Sequence, residues 1–461
     1  MDNHNLRKTK IVATIGPSTQ QYEDMKQAIA AGVNVVRCNF SHGSYEEHKM
    51  RFDNARRIGK ETGKFIPVFA DLQGPKFRVG SFEGGQQTLV DGQDFTVDDD
   101  PKPGSSTRVQ LPNIAVLKAL DIGHFILIDD GKIKLQVTKK GDGFVKTKVA
   151  VGGVIKDKKG FNLPNTVVDL PILTEKDRAD LEFALSTGFD MIAVSFVQTP
   201  EDLKKAREVV AGRAPIVCKV EKPTAATDYL PEIVDLSDAL MVARGDMGVE
   251  IGFEKVPLVQ KRMIELCRDK RKPVIVATHM LESMMTGAFP TRAEVTDVSH
   301  AVEQCTDCTM LSGETTVGDY PNEAVAAMAM IQSTTENRPD YKEYIRQFES
   351  NMAPADGDDL AEAAVALSHK AAAVVVFCKS GKTATNISKH RPDAPIVSVC
   401  TDHRTAGLTG LLYGVIPVMA DELKGNDEDS LARSAVEYAK VAGKDDYVVV
   451  VWDWAVKTIK V

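Results

Sequence analysis

The sequence is poor in the features that would take it out of the ordinary globular class. Aromatic residues make up 6% of the 461, with only two tryptophans, and no basic cluster is interleaved with them. Nucleic-acid binding draws on a basic patch or on stacking aromatics, so that class of partner is excluded. Fifty-seven basic residues stand against 65 acidic ones, and the net charge of −8 argues equally against a polyanion. No apolar run reaches the ~18 residues that a membrane-spanning helix needs. The opening residues MDNHNLRKTK hold no apolar signal segment. The expectation is a cytoplasmic protein with no membrane partner. The seven cysteines are odd in number and scattered, with Cys218 and Cys400 inside apolar runs. That pattern is no disulfide framework and fits a reducing compartment. Cys305 and Cys308 form one C-x-x-C without a second pair, which reads as packing beside a strand rather than a zinc or redox site. No short-period repeat or low-complexity tract is present.

What the chain does have is a succession of short apolar runs with helical stretches between them. The length suggests roughly two to four domains. The runs TKIVATIG, VNVVRCNFS, IPVFADLQG, DMIAVSFV, PIVCKVE, ALMVARGD, PVIVATHM and CTMLSGE make eight. Helix signals separate them: Ser44 with Glu47 forms a capping box, and Thr199, Pro200 and Gly212 bracket another helix as cap, first residue and stop. Eight β-α units predict a TIM (β/α)8 barrel, over residues 1–74 and 169–340. Residues 75–168 interrupt it with short alternating segments such as DFTVDDD, HFILIDDG and KIKLQVTKK, which predict an inserted all-β lid domain. Residues 341–461, with AAVVVFC, IVSVC, VIPVMA and YVVVVW, predict an open C-terminal α/β domain. Asp358 or Asp359 is the expected cap of its first helix.

Chemistry in such folds sits at the carboxyl ends of the parallel strands. There the sequence places Arg37, Asn39, Ser41 and His42 after the second run, Asp71 after the third, and Lys219 and Glu221 after the fifth. Arg244, Gly245 and Asp246 follow the sixth, Thr278 and His279 the seventh, Ser312 and Glu314 the eighth. Any one of these is ordinarily a satisfied polar residue at a strand end. Their convergence on one barrel face marks an active site. Lys219 and Glu221, two apart on a strand, face the same way. Glu221 and Asp246 offer hard oxygen ligands to Mg2+, and Lys219 can meet phosphoryl charge. The turn RGDMG enters a helix whose free amides suit an anion.

The segments TIGPS, RCNFSHG, DLQGPKFR, CKVEK, MVARGDMGVE, ATHMLESM, PTRAEVTDV and SGETTVGDYP keep one order along almost the whole barrel. In these the chain resembles the pyruvate kinase family, from ATIGPS to the end of the third domain. The resemblance implies transfer of the phosphoryl group of phosphoenolpyruvate to ADP, giving pyruvate and ATP, the last step of glycolysis. It implies that Arg37 and Lys219 hold the moving phosphoryl group, and that Glu221 and Asp246 bind Mg2+ or Mn2+. The amides near Gly245 and Asp246, with Thr278 beside them, would take the substrate carboxylate. Asn39, Ser41, His42, Arg78 and Lys159 would contact the nucleotide, with Pro17 flanking the adenine. Thr278 and, more remotely, Glu314 are the candidates for protonating the enolate. A homotetramer is also implied.

Two segments depart from the common family pattern. LQGPKFRV carries Lys76 where potassium-dependent members have an acidic residue, and so resembles the potassium-independent branch. The expectation is that K+ is not required, with the Lys76 ammonium standing in for a cation at the positions of Asn39, Ser41 and Asp71. VFCKSGKTATN resembles the family's effector phosphate loop, with Lys379, Ser380, Lys382 and Thr383 suited to a phosphate. Its first hydroxyl position is Cys378, and WDWAVKTIKV stands in place of a Gly-rich closing loop. A sugar monophosphate, or no sugar effector, is therefore expected rather than fructose 1,6-bisphosphate. SGKT is not a P-loop, because position 376, where that pattern needs glycine, is valine. Two other readings remain at this level: a metal-dependent aldolase or lyase acting on pyruvate or its enolate, and a non-catalytic sugar-phosphate sensor.

Overall fold

The computed structural model describes residues 7–341, 343, 345 and 356–461, residues 165 and 169 excepted. The chain opens with three strands, β1 (Lys10–Thr14), β2 (Val35–Asn39) and β3 (Val68–Asp71), separated by the helices Tyr22–Ala31 and Tyr45–Thr62. Every residue of β1 and β3 is buried, as near-continuous apolar runs require of strands covered on both faces. The helix Tyr45–Thr62 begins at the Ser44–Glu47 capping box that its sequence predicts.

After β3 the chain leaves the barrel for eight short strands: β4 (Gln86–Leu89), β5 (Asp94–Asp98), β6 (Arg108–Gln110), β7 (Phe125–Ile128), β8 (Ile133–Gly141), β9 (Phe144–Val151), β10 (Gly153–Lys156) and β11 (Phe161–Asn162). They build a six-stranded sheet, β11-β7-β8-β9-β5-β6, and a two-stranded ribbon of β10 with β4. Val97, Val109, Ile126, Leu135 and Phe161 belong to an apolar core of this insertion, distinct from that of the barrel. One short helix, Ile114–Ala119, departs from the all-β expectation; the Asn113 side chain caps it at the Ala115 amide.

The barrel resumes with β12 (Met191–Val194), β13 (Ile216–Val220), β14 (Ala239–Ala243), β15 (Val274–Ala277) and β16 (Cys308–Leu311). The eight strands close in the order β1-β16-β15-β14-β13-β12-β3-β2. Their interior is a packed core: Val12, Phe69, Met191, Met241, Ile275 and Met310 belong to one buried cluster. The helix Pro200–Val210 has Thr199 as its cap, as expected, and ends in two successive left-handed residues, Ala211, whose amide bonds back to the Arg207 carbonyl, and Gly212.

The C-terminal region adds β17 (Ala373–Cys378), β18 (Ile396–Cys400), β19 (Val415–Met419), β20 (Tyr447–Trp452) and β21 (Ala455–Lys460), in the sheet order β19-β18-β17-β20-β21. The final strand, antiparallel to β20, is absent from the sequence expectation. Its residues are mostly exposed, as at a sheet edge, so it lacks the long apolar run that marks the other four. The helix Asp358–Ser368 includes Asp358, and Gly357 occupies the capping position. Neither aspartate caps it; the Asp358 carboxylate is taken by the Arg271 guanidinium. This region is keyed into the barrel floor. Lys389 and Arg391 reach the fully buried Asp307 at 3.3 and 3.4 Å, just before β16. Among the described residues, no helix is long and apolar enough to cross a membrane.

Candidate active site

The carboxyl ends of β2, β3, β12 and β13 bring an ionic cluster together. Arg37 donates from Nε to Asp71 Oδ2 at 2.7 Å and from Nη1 to Thr14 Oγ1 at 2.7 Å. The Lys219 ammonium lies 3.2 Å from Asp71 Oδ1 and 3.1 Å from Glu221 Oε1, and donates to Ser195 Oγ at 2.8 Å. Asp71 and Glu221 are each 1% exposed. Buried charges persist only when paired, and here two cations face two carboxylates. Burial would lower the Lys219 pKa, but Asp71 and Glu221 outweigh it and hold the ammonium charged, above its usual range. Burial would likewise raise Asp71, but Lys219 and Arg37 hold it below the usual carboxylate range. Glu221 is different: burial pushes it up, and Asp246 adds to that against the pull of Lys219.

Glu221 also shows how a metal would fit. Its Oε2 accepts from the Phe196 amide at 2.7 Å, while its Oε1, although beside Lys219, is buried without a hydrogen bond. The donors are hard carboxylate oxygens, Glu221 and the partly exposed Asp246. No group of three or more His, Cys, Asp or Glu residues suited to a metal occurs among the described residues. Two carboxylates that leave the remaining positions to water and phosphate oxygens are the usual Mg2+ arrangement. The residues present therefore fit a divalent cation.

The wall of the site formed by β14 and β15 is built on strained backbone. Thr278 and His279, after β15, have φ of 66° and 52°, and Phe196, across the barrel mouth after β12, has 59°. Bulky or β-branched residues rarely adopt that conformation, and each costs about 1–3 kcal/mol. The turn after β14 runs into the helix Arg244–Ile251, as RGDMG predicts. The Gly245 amide donates to Thr278 Oγ1 at 2.8 Å. Glu314 is fully buried and accepts from the Ser312 amide at 2.7 Å and the Leu281 amide at 3.1 Å. It ties the ends of β15 and β16 together.

Other expected residues lie on separate elements. Asn39 and Ser41 join through a 3.1 Å contact from the Ser41 amide to Asn39 Oδ1, and His42 is exposed next to them. Arg78 and Lys159 belong to the inserted domain, where Arg78 bridges to Gly160 and the Lys159 ammonium pairs with Asp129 at 2.7 Å. Lys76 differs from expectation. Its ammonium pairs with Asp246 Oδ1 at 3.4 Å, not with Asn39, Ser41 or Asp71. Its stem leaves the loop after β3 beside Gly160, and that direction carries the charge to Asp246. Lys379, Ser380, Lys382 and Thr383 line a separate cavity of about 300 Å3. Lys379 pairs there with Asp453 at 3.2 Å and Lys382 with Asp356 at 2.6 Å. The β20–β21 turn, with Asp453 and Trp454, forms part of the cavity wall. Cys305 and Cys308 are buried free thiols.

Sequence reasoning missed Ser195, Phe196 and Thr14. Ser195 directly follows β12 and falls under the strand-end rule that found Lys219. Thr14 ends β1 and falls under the same rule. Phe196 serves through its amide, and a backbone donor leaves no side-chain signal.

Residues 6–325 match the pyruvate kinase barrel domain and residues 358–461 the pyruvate kinase alpha/beta domain. The pyruvate kinase of Methylorubrum extorquens is 43% identical over 437 residues, covering 94% of this chain and 90% of that protein. A pyruvate kinase of Agrobacterium vitis is 41% identical over 450 residues, covering 96% and 94%. The crystal structure of a pyruvate kinase from Cryptosporidium parvum superposes with a TM-score of 0.92 at 33% identity, covering all of this chain and 97% of that one. The buried ion cluster at the strand ends agrees with that likeness, and the chain belongs to the pyruvate kinase family, phosphotransferases that pass the phosphoryl group of phosphoenolpyruvate to ADP and so make pyruvate and ATP.

Proposed function

We propose the following division of labour for this transfer. Lys219 and Arg37 neutralise the phosphoryl group as it moves between the two oxygens. Phosphoryl transfer relies on positioning and cation clamps rather than on covalent catalysis. Glu221 and Asp246 hold Mg2+ or Mn2+, which when bound adds positive charge at the phosphoryl and carboxylate oxygens. The Gly245 amide and Thr278 hold the substrate carboxylate, and Thr278, directly or through water, delivers the proton to the enolate carbon. Asn39, Ser41, His42, Arg78 and Lys159 receive the nucleotide, and the inserted domain, residues 75–168, closes over it as a lid. The observation that carries this reading is the Lys219 ammonium, held at 2.8–3.2 Å by Ser195, Asp71 and Glu221 in a site where both carboxylates are buried. A coupled assay for pyruvate from phosphoenolpyruvate and ADP tests it. No pyruvate above background, with metal present, would leave only a binding role.

The LQGPKFRV segment supports independence from K+, although the Lys76 ammonium itself pairs with Asp246 at 3.4 Å and not at Asn39, Ser41 and Asp71. Exposed Phe253, Leu258 and Phe289 support a homotetramer by offering apolar surface to other copies, which solution mass would check. The cavity at Lys379–Thr383 suits a sugar monophosphate effector or no sugar effector, and the acidic partners of its two lysines disfavour a bisphosphate. A screen of phosphorylated metabolites at low phosphoenolpyruvate distinguishes these. The family's place in glycolysis supports a cytoplasmic location.

A further inference from the structure

Thr278 occupies a conformation that its own side chain resists. Threonine is β-branched, and at φ 66° its Cβ crowds the backbone; His279 continues the strain at φ 52°. Something outside the turn must hold it. The Arg244 guanidinium makes the contacts that do so. Its Nε donates to the Ala277 carbonyl at 3.0 Å and its Nη2 to the Thr278 carbonyl at 2.7 Å. Its Nη1 is fixed in turn by Asp297 Oδ1 at 2.7 Å. The side chain is 11% exposed, so these bonds are shielded from water. Arg244 stands immediately before Gly245, whose amide meets Thr278 Oγ1. One residue thus spans from the end of β14 to the end of β15 and fixes both the backbone and, through its neighbour, the hydroxyl of Thr278.

The hydroxyl has a second tie. Thr278 Oγ1 donates its proton to the Ala277 carbonyl at 2.7 Å, the same oxygen that Arg244 Nε reaches. A carbonyl has two lone pairs and accepts both donors. When a substrate carboxylate takes the Gly245 amide, the hydroxyl must swing toward the substrate and give up that carbonyl. Arg244 keeps the buried oxygen satisfied while it does so, which removes the desolvation cost of the swing.

We propose that Arg244 is a positioning residue for the proton-transfer half of the reaction: it holds Thr278 in its left-handed turn and frees the hydroxyl to face the enolate. This rests on the reading of Thr278 given above. In the step itself the enolate carbon gains a proton from the Thr278 hydroxyl or a water that it holds, and that group recovers a proton from solvent. A lysine cannot substitute, because one ammonium does not span two successive carbonyls and a carboxylate.

The test compares Arg244→Lys, Arg244→Gln, Thr278→Ala and Arg244→Lys/Thr278→Ala with the unaltered enzyme. Turnover, KM for phosphoenolpyruvate, and exchange of pyruvate methyl protons with deuterated solvent are measured, with melting temperature as the control for folding. Arg244→Lys is expected to lower turnover and proton exchange together by about 10- to 100-fold, as misplacement of a reacting group by ~1 Å does. KM should change less than turnover, because the Gly245 amide still binds the carboxylate when Thr278 is displaced. The double variant should be no slower than Thr278→Ala. Arg244→Gln, which keeps one amide donor, provides the same reading should the lysine variant fold poorly. If Thr278→Ala keeps full turnover and exchange, the reading of Thr278 fails. If Thr278→Ala is impaired while both Arg244 variants exchange normally, or their effects add to its own, the proposal for Arg244 is overturned.

Discussion

Replacing Lys219 with methionine removes the charge at the centre of the ion cluster and has two consequences that must be separated. The side chain of methionine fills most of the lysine stem, so packing is largely kept. What is lost is the ammonium within 3.2 Å of Asp71 and 3.1 Å of Glu221. Asp71 then keeps Arg37, but Glu221 loses its cation partner, and breaking a buried pair in this way costs about 3–5 kcal/mol of stability. Turnover falls for a different reason, the missing charge on the moving phosphoryl group. One neutral donor at such a position is worth about 10²–10³ in rate, so a full charge should cost more. Adding Asp71→Asn isolates the second effect. The asparagine carbonyl can still accept from Arg37 Nε, now at 2.7 Å from Asp71, so the charge left without Lys219 is relieved at position 71 and remains at Glu221. Chemical unfolding should show that the double variant recovers part of the lost stability, the share that belongs to Asp71. Steady-state assays should show turnover still depressed by more than about 10³-fold, with a smaller change in KM. A double variant that recovers turnover along with stability would refute the reasoning and reduce Lys219 to a structural partner of Asp71.

Glu221→Gln should move activation by Mg2+, and binding of Mn2+ followed by paramagnetic resonance, to at least about tenfold higher metal, a loss typical even of residues behind a ligand; unchanged metal dependence would remove Glu221 from the site. The unaltered enzyme should run at full speed with a large organic ammonium as the only bulk cation, while Lys76→Glu should be slow until K+ is added. His48, buried and stacked on Phe40 at 4.0 Å, has its pKa pulled down to about 4 by burial and then by Arg51. Its folded value lies below the free one, so the unfolded chain takes up the proton first. Stability is complete above pH 7 and is lost as pH falls from about 6.5 toward 4, about 2 kcal/mol of it by pH 5. Urea midpoints at pH 7 and 5 should show this slope, and His48→Gln should flatten it. Asp307→Asn should cost about 3–5 kcal/mol by stranding the buried Lys389 and Arg391, and limited proteolysis should then cut between the barrel and the C-terminal sheet.

The chain alone determined a good deal. Eight apolar runs with helices between them fold as a closed parallel barrel because a strand covered on both faces must be apolar throughout, and that periodicity is a property of the sequence. The strand-end rule likewise located Arg37, Asp71, Lys219, Glu221, Asp246 and Thr278, since a barrel gathers such ends whatever their spacing along the chain. The C-terminal edge strand β21 escaped notice because an exposed edge needs no apolar run. Only the tertiary structure decided which strand-end residues touch. The pairing of Lys219 with Asp71 joins positions 148 residues apart through the closure of the barrel, and Ser195 enters only because β12 lies between β3 and β13. It redirected Lys76 to Asp246, a choice set by the path of the loop past Gly160 that no local pattern records. It also revealed the left-handed turns at Phe196 and Thr278. Local sterics disfavour these conformations, so neither propensity nor motif announces them; Glu221 accepts from the Phe196 amide and the Arg244 guanidinium donates to the Thr278 carbonyl, contacts that only the closed barrel brings about.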